Sequence, residues 1–194
     1  AVGSGATPVS GTMTARFNCT DAGNAKRFAA EHDGVAIFVP AVGWRIWDGS
    51  RYALDEMGAG ERLAKQTAAA IFNEAASCAN DADRQTLGKW ALASERGPAL
   101  REMMRLAESE LNMVAASDGF DTDPWLFNCL NGTLDLRTGD LREHRKADRL
   151  TRVAPVAYDP EAKCPAWDAF LERVQPDPDT RTFLQRAAGY TLTG

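Results

Sequence analysis

The densest group of chemistry-bearing residues in this 194-residue chain lies between Arg137 and Arg152. Arg137, Arg142, Arg145, Lys146, Arg149 and Arg152 stand against Asp140, Glu143 and Asp148, a surplus of three positive charges, with His144 among them. Cationic groups in such a run can contact phosphates and gain affinity by counterion release without reading base sequence. The same composition also describes a solvated loop whose charges pair with one another at little gain each. Both readings stay open, and the candidate DNA contacts are Arg137, Arg142, His144, Arg145, Lys146, Arg149 and Arg152.

Other constellations point elsewhere or nowhere. Trp44, Trp47 and Tyr52 could stack single-stranded bases, but Trp44 and Trp47 are three apart and face opposite ways on a regular strand, which favours core or sheet-edge packing. Asp118, Asp121 and Asp123 lack the Glu-terminated spacing of a calcium loop, and such residues mostly cap neighbouring elements. Metal-dependent polymerisation needs carboxylates on adjacent strands beside a histidine; His32 follows a helix and His144 sits in the basic run, neither next to an Asp-x-Asp or Asp-x-Glu strand pattern. No G-x-S-x-G elbow is present. The expectation is a non-catalytic chain with no metal and no bound cofactor of its own.

The basic run must be positioned by the elements before it. Trp125, Leu126, Phe127 and Leu130 lead to Asn131-Gly132, the pair a tight type I′ turn favours, and Thr133 to Leu136 then alternate polar with apolar. A second turn at Thr138-Gly139-Asp140 opens a third run through Leu141 and His144, giving a three-stranded meander. Upstream, Thr20-Asp21 caps a helix that ends near Asp33-Gly34. Val35 to Val39 is a short strand stopped by Pro40, and Trp44 to Trp47 turns at Asp48-Gly49-Ser50 into Tyr52 to Leu54.

Gly60 to Ala79 is alanine-rich, with Leu63, Thr67, Ala70, Ile71, Glu74 and Ala75 at helical spacing. Asp81 to Ser94 and Pro98 to Leu111 give two more helices, Pro98 suiting a first turn. Ser117 to Pro124 is an acidic link, and two helices at about Pro165 to Val174 and Asp179 to Leu192 close the chain. The fold class is α+β and helix-rich, with small antiparallel hairpins and a meander packed on a helical layer. Three regions are expected: a disordered linker at 1–17, an α/β and helical subdomain at 18–118, and the meander plus terminal helix pair at 119–194.

Composition sets bounds on function. A hydrophobic content of 44% supports a real core. The net charge of −5 and pI near 5.1 exclude a surface coated in basic residues, so any nucleic-acid contact is local and salt-sensitive. Cys19, Cys78, Cys129 and Cys164 contain no C-x-x-C pair and read as reduced thiols of the core in a cytoplasmic protein. No apolar run approaches the roughly twenty residues that span a bilayer, so no membrane partner is expected.

The residues from Asp123-Pro-Trp-Leu-Phe-Asn-Cys-Leu-Asn-Gly-Thr-Leu-Asp-Leu-Arg-Thr-Gly139 go further than local physics. With Arg142, His144, Arg145, Thr151, Ala154-Pro155-Val156, Tyr158-Asp159-Pro160, Cys164-Pro165, Trp167, Phe170-Leu171, Phe183 to Ala187 and Gly189 to Gly194, they resemble the region upstream of the motor in phage and plasmid primase-helicases of the superfamily 3 type, including the poxvirus primase-helicase. The likeness covers roughly the last seventy residues, far more specific than a short motif. A looser match runs through Thr20 to Phe28 and Trp44 to Tyr52.

The resemblance implies a parent protein that is an ATP-dependent DNA helicase using ATP and Mg, assembled as a homo-oligomeric ring, commonly a hexamer, and working in DNA replication. The ATP-binding loop G-x-x-x-x-G-K-[ST] of such motors is missing here, since the only Gly-Lys pair, Gly88-Lys89, is followed by Trp90. The chain therefore reads as a piece of a longer protein, preceding the ATPase. Its implied work is assembly and positioning of the helicase ring, docking to its own helicase domain, and contact with single-stranded or forked DNA. Two expectations compete with it: an adaptor that binds replication partners and never touches DNA, and a free-standing small enzyme, which a deep pocket lined by converging polar groups would reveal.

Overall fold

The computed structural model describes residues 17–193. Apart from Phe17, the expected linker lies outside the described residues. Helix α1, Asp21–Glu31, starts where Thr20 Oγ1 accepts a 3.0 Å hydrogen bond from the Gly23 N–H, the side-chain cap that its sequence announces. Its inner face carries Ala25, Phe28 and Ala29, all buried. The first sheet is an antiparallel meander of β1 (Ala36–Val39), β2 (Gly43–Trp47) and β3 (Tyr52–Leu54), with Ala36 opposite Ile46 and Trp47 opposite Tyr52. One face of it lies on α1, where the Phe28 and Trp44 rings meet edge to face at 5.7 Å.

Helix α2, Ala59–Ala76, is capped from upstream: Asp55 accepts from the N–H groups of Ala59 and Gly60 at 2.6 and 2.8 Å. Two of the helix's orphan donors are thereby satisfied, and the negative charge sits at the positive end of the dipole. Gly60, Ala64, Ala68 and Ala75 face inward, and a Cβ on Gly60 would lie 2.6 Å from Met104 Cε, so small residues set how closely the helices approach. Helices α3 (Asp81–Ser94) and α4 (Gly97–Ala107) complete the layer, and the main core gathers Phe28, Ile46, Ala68, Leu100, Met103 and Met113.

Helix α4 is shorter than its sequence suggests. It ends at Ala107, and Leu111 is 92% exposed. Past the helix Met113 enters the core, its carbonyl accepting from the Phe38 N–H, while the Ala115 N–H donates to the Phe38 carbonyl. Pairing with the edge of β1 displaces the last helical turn.

The second sheet comprises β4 (Leu126–Cys129), β5 (Gly132–Asp135) and β6 (Asp140–Arg142), again antiparallel. Its first turn is shifted from the expected one: Cys129 pairs with Gly132, so Leu130 and Asn131 form the loop and Gly132 belongs to the strand. Gly132 has φ 153°, and a Cβ there would lie 2.4 Å from the Arg142 carbonyl oxygen. The glycine serves the close approach of β6. The expected alternation in β5 is also altered, because Thr133 is fully buried beside Leu134 and its hydroxyl donates to Asn128 Oδ1 at 3.1 Å. Helices α5 (Pro165–Val174) and α6 (Pro178–Tyr190) follow, and neither has a buried residue. The fold is α+β. Of the cysteines, Cys129 is buried, Cys19 and Cys78 are half-buried and Cys164 is exposed, so only the first belongs to the core. Among the described residues no helix is long and apolar enough to cross a membrane.

Candidate nucleic-acid interface

The two sheets meet along one seam. The stretch 149–152 runs beside β3: the Tyr52 N–H donates to the Leu150 carbonyl at 2.8 Å and Arg51 reaches the Thr151 carbonyl. Asp121 clamps Thr151 from the other side, accepting from its N–H at 2.8 Å and its hydroxyl at 2.5 Å. Asn128 Nδ2 donates to the carbonyls of Ser50 and Arg152, which turns its oxygen toward Thr133 and His144. His144 Nδ1, 2.9 Å from that oxygen, must therefore be the protonated nitrogen.

This framework sorts the basic run. The Arg137 guanidinium is held by both oxygens of Asp123 at 2.7 and 3.1 Å and rests on the Trp125 ring. These bonds hold the Asp123 carboxyl below its usual value. Arg142 is bound by both oxygens of Asp148, at 2.7 and 2.9 Å, and this bonding pushes its guanidinium pKa up. Fork-to-fork pairs of this kind are strong and geometrically fixed, so Arg137 and Arg142 are committed within the molecule. His144 belongs to the Asn128 hub. Arg145, Lys146, Arg149 and Arg152 are exposed, and none has a carboxylate within ion-pair distance among the described residues.

The seam adds a cation that the sequence did not flag. Arg45 on β2 donates to the Tyr52 carbonyl at 3.1 Å, and its Cζ lies 5.6 Å from the Phe120 ring centroid. Arg149 lies on the same ring at 5.8 Å. Phe120, Tyr52, Ile37 and Val39 form a second core cluster behind them. No spacing in the sequence joins residues 45 and 149; only the folded seam does.

The remaining candidates resolve into structural parts. Trp44 packs against Phe28 and Phe38, whereas Trp47 packs against Tyr52 at 5.3 Å, so the indoles share no stacking face. Asp123 also accepts from the Trp125 N–H, and Asp121 is turned to Thr151, so these carboxylates brace the link and do not converge. His32 lies between α1 and α2 with Nε2 3.0 Å from Thr67 Oγ1 and 3.2 Å from the Leu63 carbonyl. Thr67 donates its hydroxyl to Glu31 at 2.6 Å, and burial pushes the His32 pKa down. His32 Nε2 is thus a donor inside the helical layer, and the Thr67 proton is committed to a carboxylate.

A buried arginine, also unannounced, fixes the start of the fold. Arg27 donates to both oxygens of Glu74, to the carbonyls of Phe17 and Asn18 and to Asn24 Oδ1, while its guanidinium rests on the Phe17 ring. Phe17, expected in the linker, is therefore part of the packed structure.

Residues 25–176 match the family model described as D5 N terminal like, over three-quarters of the chain. No curated protein matches it.

Proposed function

The chain belongs to the D5 N-terminal-like family, the N-terminal domain of D5-like primase-helicases of phages, plasmids and poxviruses, and on that premise we propose that it is the non-catalytic positioning domain of an ATP-driven replicative helicase. In this reading it docks to its own helicase domain, helps to assemble a homo-oligomeric ring, commonly a hexamer, and touches single-stranded or forked DNA without reading sequence. ATP and Mg belong to the motor of the parent protein. In this reading the parent protein serves replication of a phage, plasmid or integrated element, in the cytoplasm.

The observation that carries the DNA contact is the set of uncommitted cations Arg145, Lys146, Arg149 and Arg152, gathered on eight consecutive residues of an otherwise acidic chain. Assembly is supported by α5 and α6. Trp167 and Phe170 stack at 5.6 Å, Phe183 is 67% exposed and Tyr190 78%, and the pair has no buried residue. Large apolar side chains left in water on two consecutive helices mark a surface that a partner covers.

The test is binding of labelled single-stranded and forked oligonucleotides by anisotropy from low to physiological salt. Binding that weakens linearly on a log–log salt plot, and disappears when Arg145, Lys146, Arg149 and Arg152 are all changed to Glu, supports the reading. Absence of binding at low salt, or binding untouched by the charge reversal, removes DNA contact. What then stands is the adaptor reading, in which α5 and α6 dock a replication partner; the net charge of −5 favours it.

A further inference from the structure

We propose that Arg45 and Arg149, both seated on Phe120, form a clamp for a phosphoryl group, filled in the working protein by a phosphodiester of single-stranded nucleic acid. The inference rests on the nucleic-acid reading above and adds a cation from the other sheet. The two guanidinium carbons lie 5.6 and 5.8 Å from one ring centroid, which places the charges no more than about 11 Å apart and thus close to the screening length of roughly 8 to 10 Å in ordinary salt. Neither has a carboxylate within ion-pair distance among the described residues. Two like charges with no carboxylate beside them repel one another, and an anion placed between them would relieve that repulsion.

Both groups are also held in place with donors to spare. Arg45 uses one N–H on the Tyr52 carbonyl, and a guanidinium carries five donors. Arg149 has no side-chain hydrogen bond among the described residues. Its guanidinium lies over Gly119, where an added Cβ would come within 3.3 Å of Nη1. The Arg149 backbone has φ 49°, a left-handed conformation that costs a non-glycine residue free energy. It persists because its carbonyl accepts from the Asp121 N–H and the next residue is tied to β3. An arginine kept where glycine or asparagine would be more comfortable is a residue whose side chain has work to do at that place. The planar fork suits phosphate oxygens better than the point charge of a lysine.

The test uses the whole chain with Arg149→Gly and Arg45→Gln, a labelled oligothymidylate, and inorganic phosphate as a separate probe. Arg149→Gly relieves the strained backbone, so its melting temperature should equal or exceed that of the parent chain. Its oligonucleotide affinity at low salt should nonetheless fall about tenfold, and the salt slope should drop by about 0.7. Arg45→Gln should show the same two changes. If Arg149→Gly binds as the parent chain does, with an unchanged slope, while charge reversal at Arg145, Lys146 and Arg152 abolishes binding, the clamp is wrong and the nucleic-acid reading survives. If the parent chain binds no oligonucleotide, the nucleic-acid reading fails and phosphate decides. Stabilisation by phosphate that both substitutions remove supports a site for a free phosphoryl ligand, and no stabilisation overturns the clamp altogether.

Discussion

Replacing Glu74 by Ala should destabilise the chain by about 2–4 kcal/mol. The magnitude follows from the surroundings of Arg27, which is 1% exposed and uses all five of its N–H donors. Two of the five go to Glu74, at 2.8 and 2.9 Å. Removing the carboxylate leaves a buried cation with two orphaned donors, each costing roughly 1–3 kcal/mol. Glu74 is itself 31% exposed, so water entering from that side recovers part of the loss, which places the total below the upper sum. In a chain of this length the change lowers Tm by roughly 5–12 °C. Urea unfolding followed by tryptophan emission is a suitable assay, because Trp90 Nε1 donates to the same Asn24 oxygen that Arg27 contacts. The double variant Arg27→Met with Glu74→Leu should regain much of the stability, since an apolar pair of similar volume carries no desolvation penalty. A loss below about 0.5 kcal/mol for Glu74→Ala, within the range of ordinary surface substitutions, would refute the account of a saturated, buried guanidinium.

Stability should also depend on pH through His32. Its pKa is lowered by burial from 6.5, so the neutral form is favoured in the fold. The contribution is complete above pH 6.5 and is lost as pH falls from there through the folded value. Urea midpoints from pH 8 to 5 should show this decline, and His32→Gln should remove its share of the slope. Gly132→Ala should cost about 2–4 kcal/mol, because both the φ of the residue and the Arg142 carbonyl oppose a Cβ; a thermal melt within a degree of the parent would contradict that. Phe183→Ser and Tyr190→Ser should leave the stability of the isolated chain within about 0.5 kcal/mol while weakening self-association or binding to the helicase domain, as read by sedimentation; unchanged association would remove α6 from the docking surface.

Local signals in the sequence were reliable where a residue acts on its immediate neighbours. Thr20 caps α1, Pro98 opens α4 and Pro40 stops β1, because each effect is decided within one turn. Offsets arose where tertiary pairing intervened. Asn131-Gly132 reads as a turn, yet the strand begins at Gly132 because β6 crosses over it. Leu111 fits the helical period of α4, but pairing of the following segment with β1 ends the helix first. The basic run shows the same division. Its surplus of charge is visible in composition, but nothing in that count separates Arg142, bound by Asp148, from Arg145, which is not. Arg45 and Arg27 could not be found this way at all, since a seam joining residues more than a hundred apart in sequence and a carboxylate forty-seven residues away define their roles.

The bonds at the seam are few and close together. Tyr52 to Leu150, Arg51 to Thr151 and Asn128 to Ser50 all engage one short stretch of the amino-terminal half, 50–52. Tension applied between the amino-terminal half and the meander, as a moving motor would apply it, therefore converges on that strip. Under force the molecule should part there first, with each half still folded, and a single-molecule pulling trace should record the event as a separate early step.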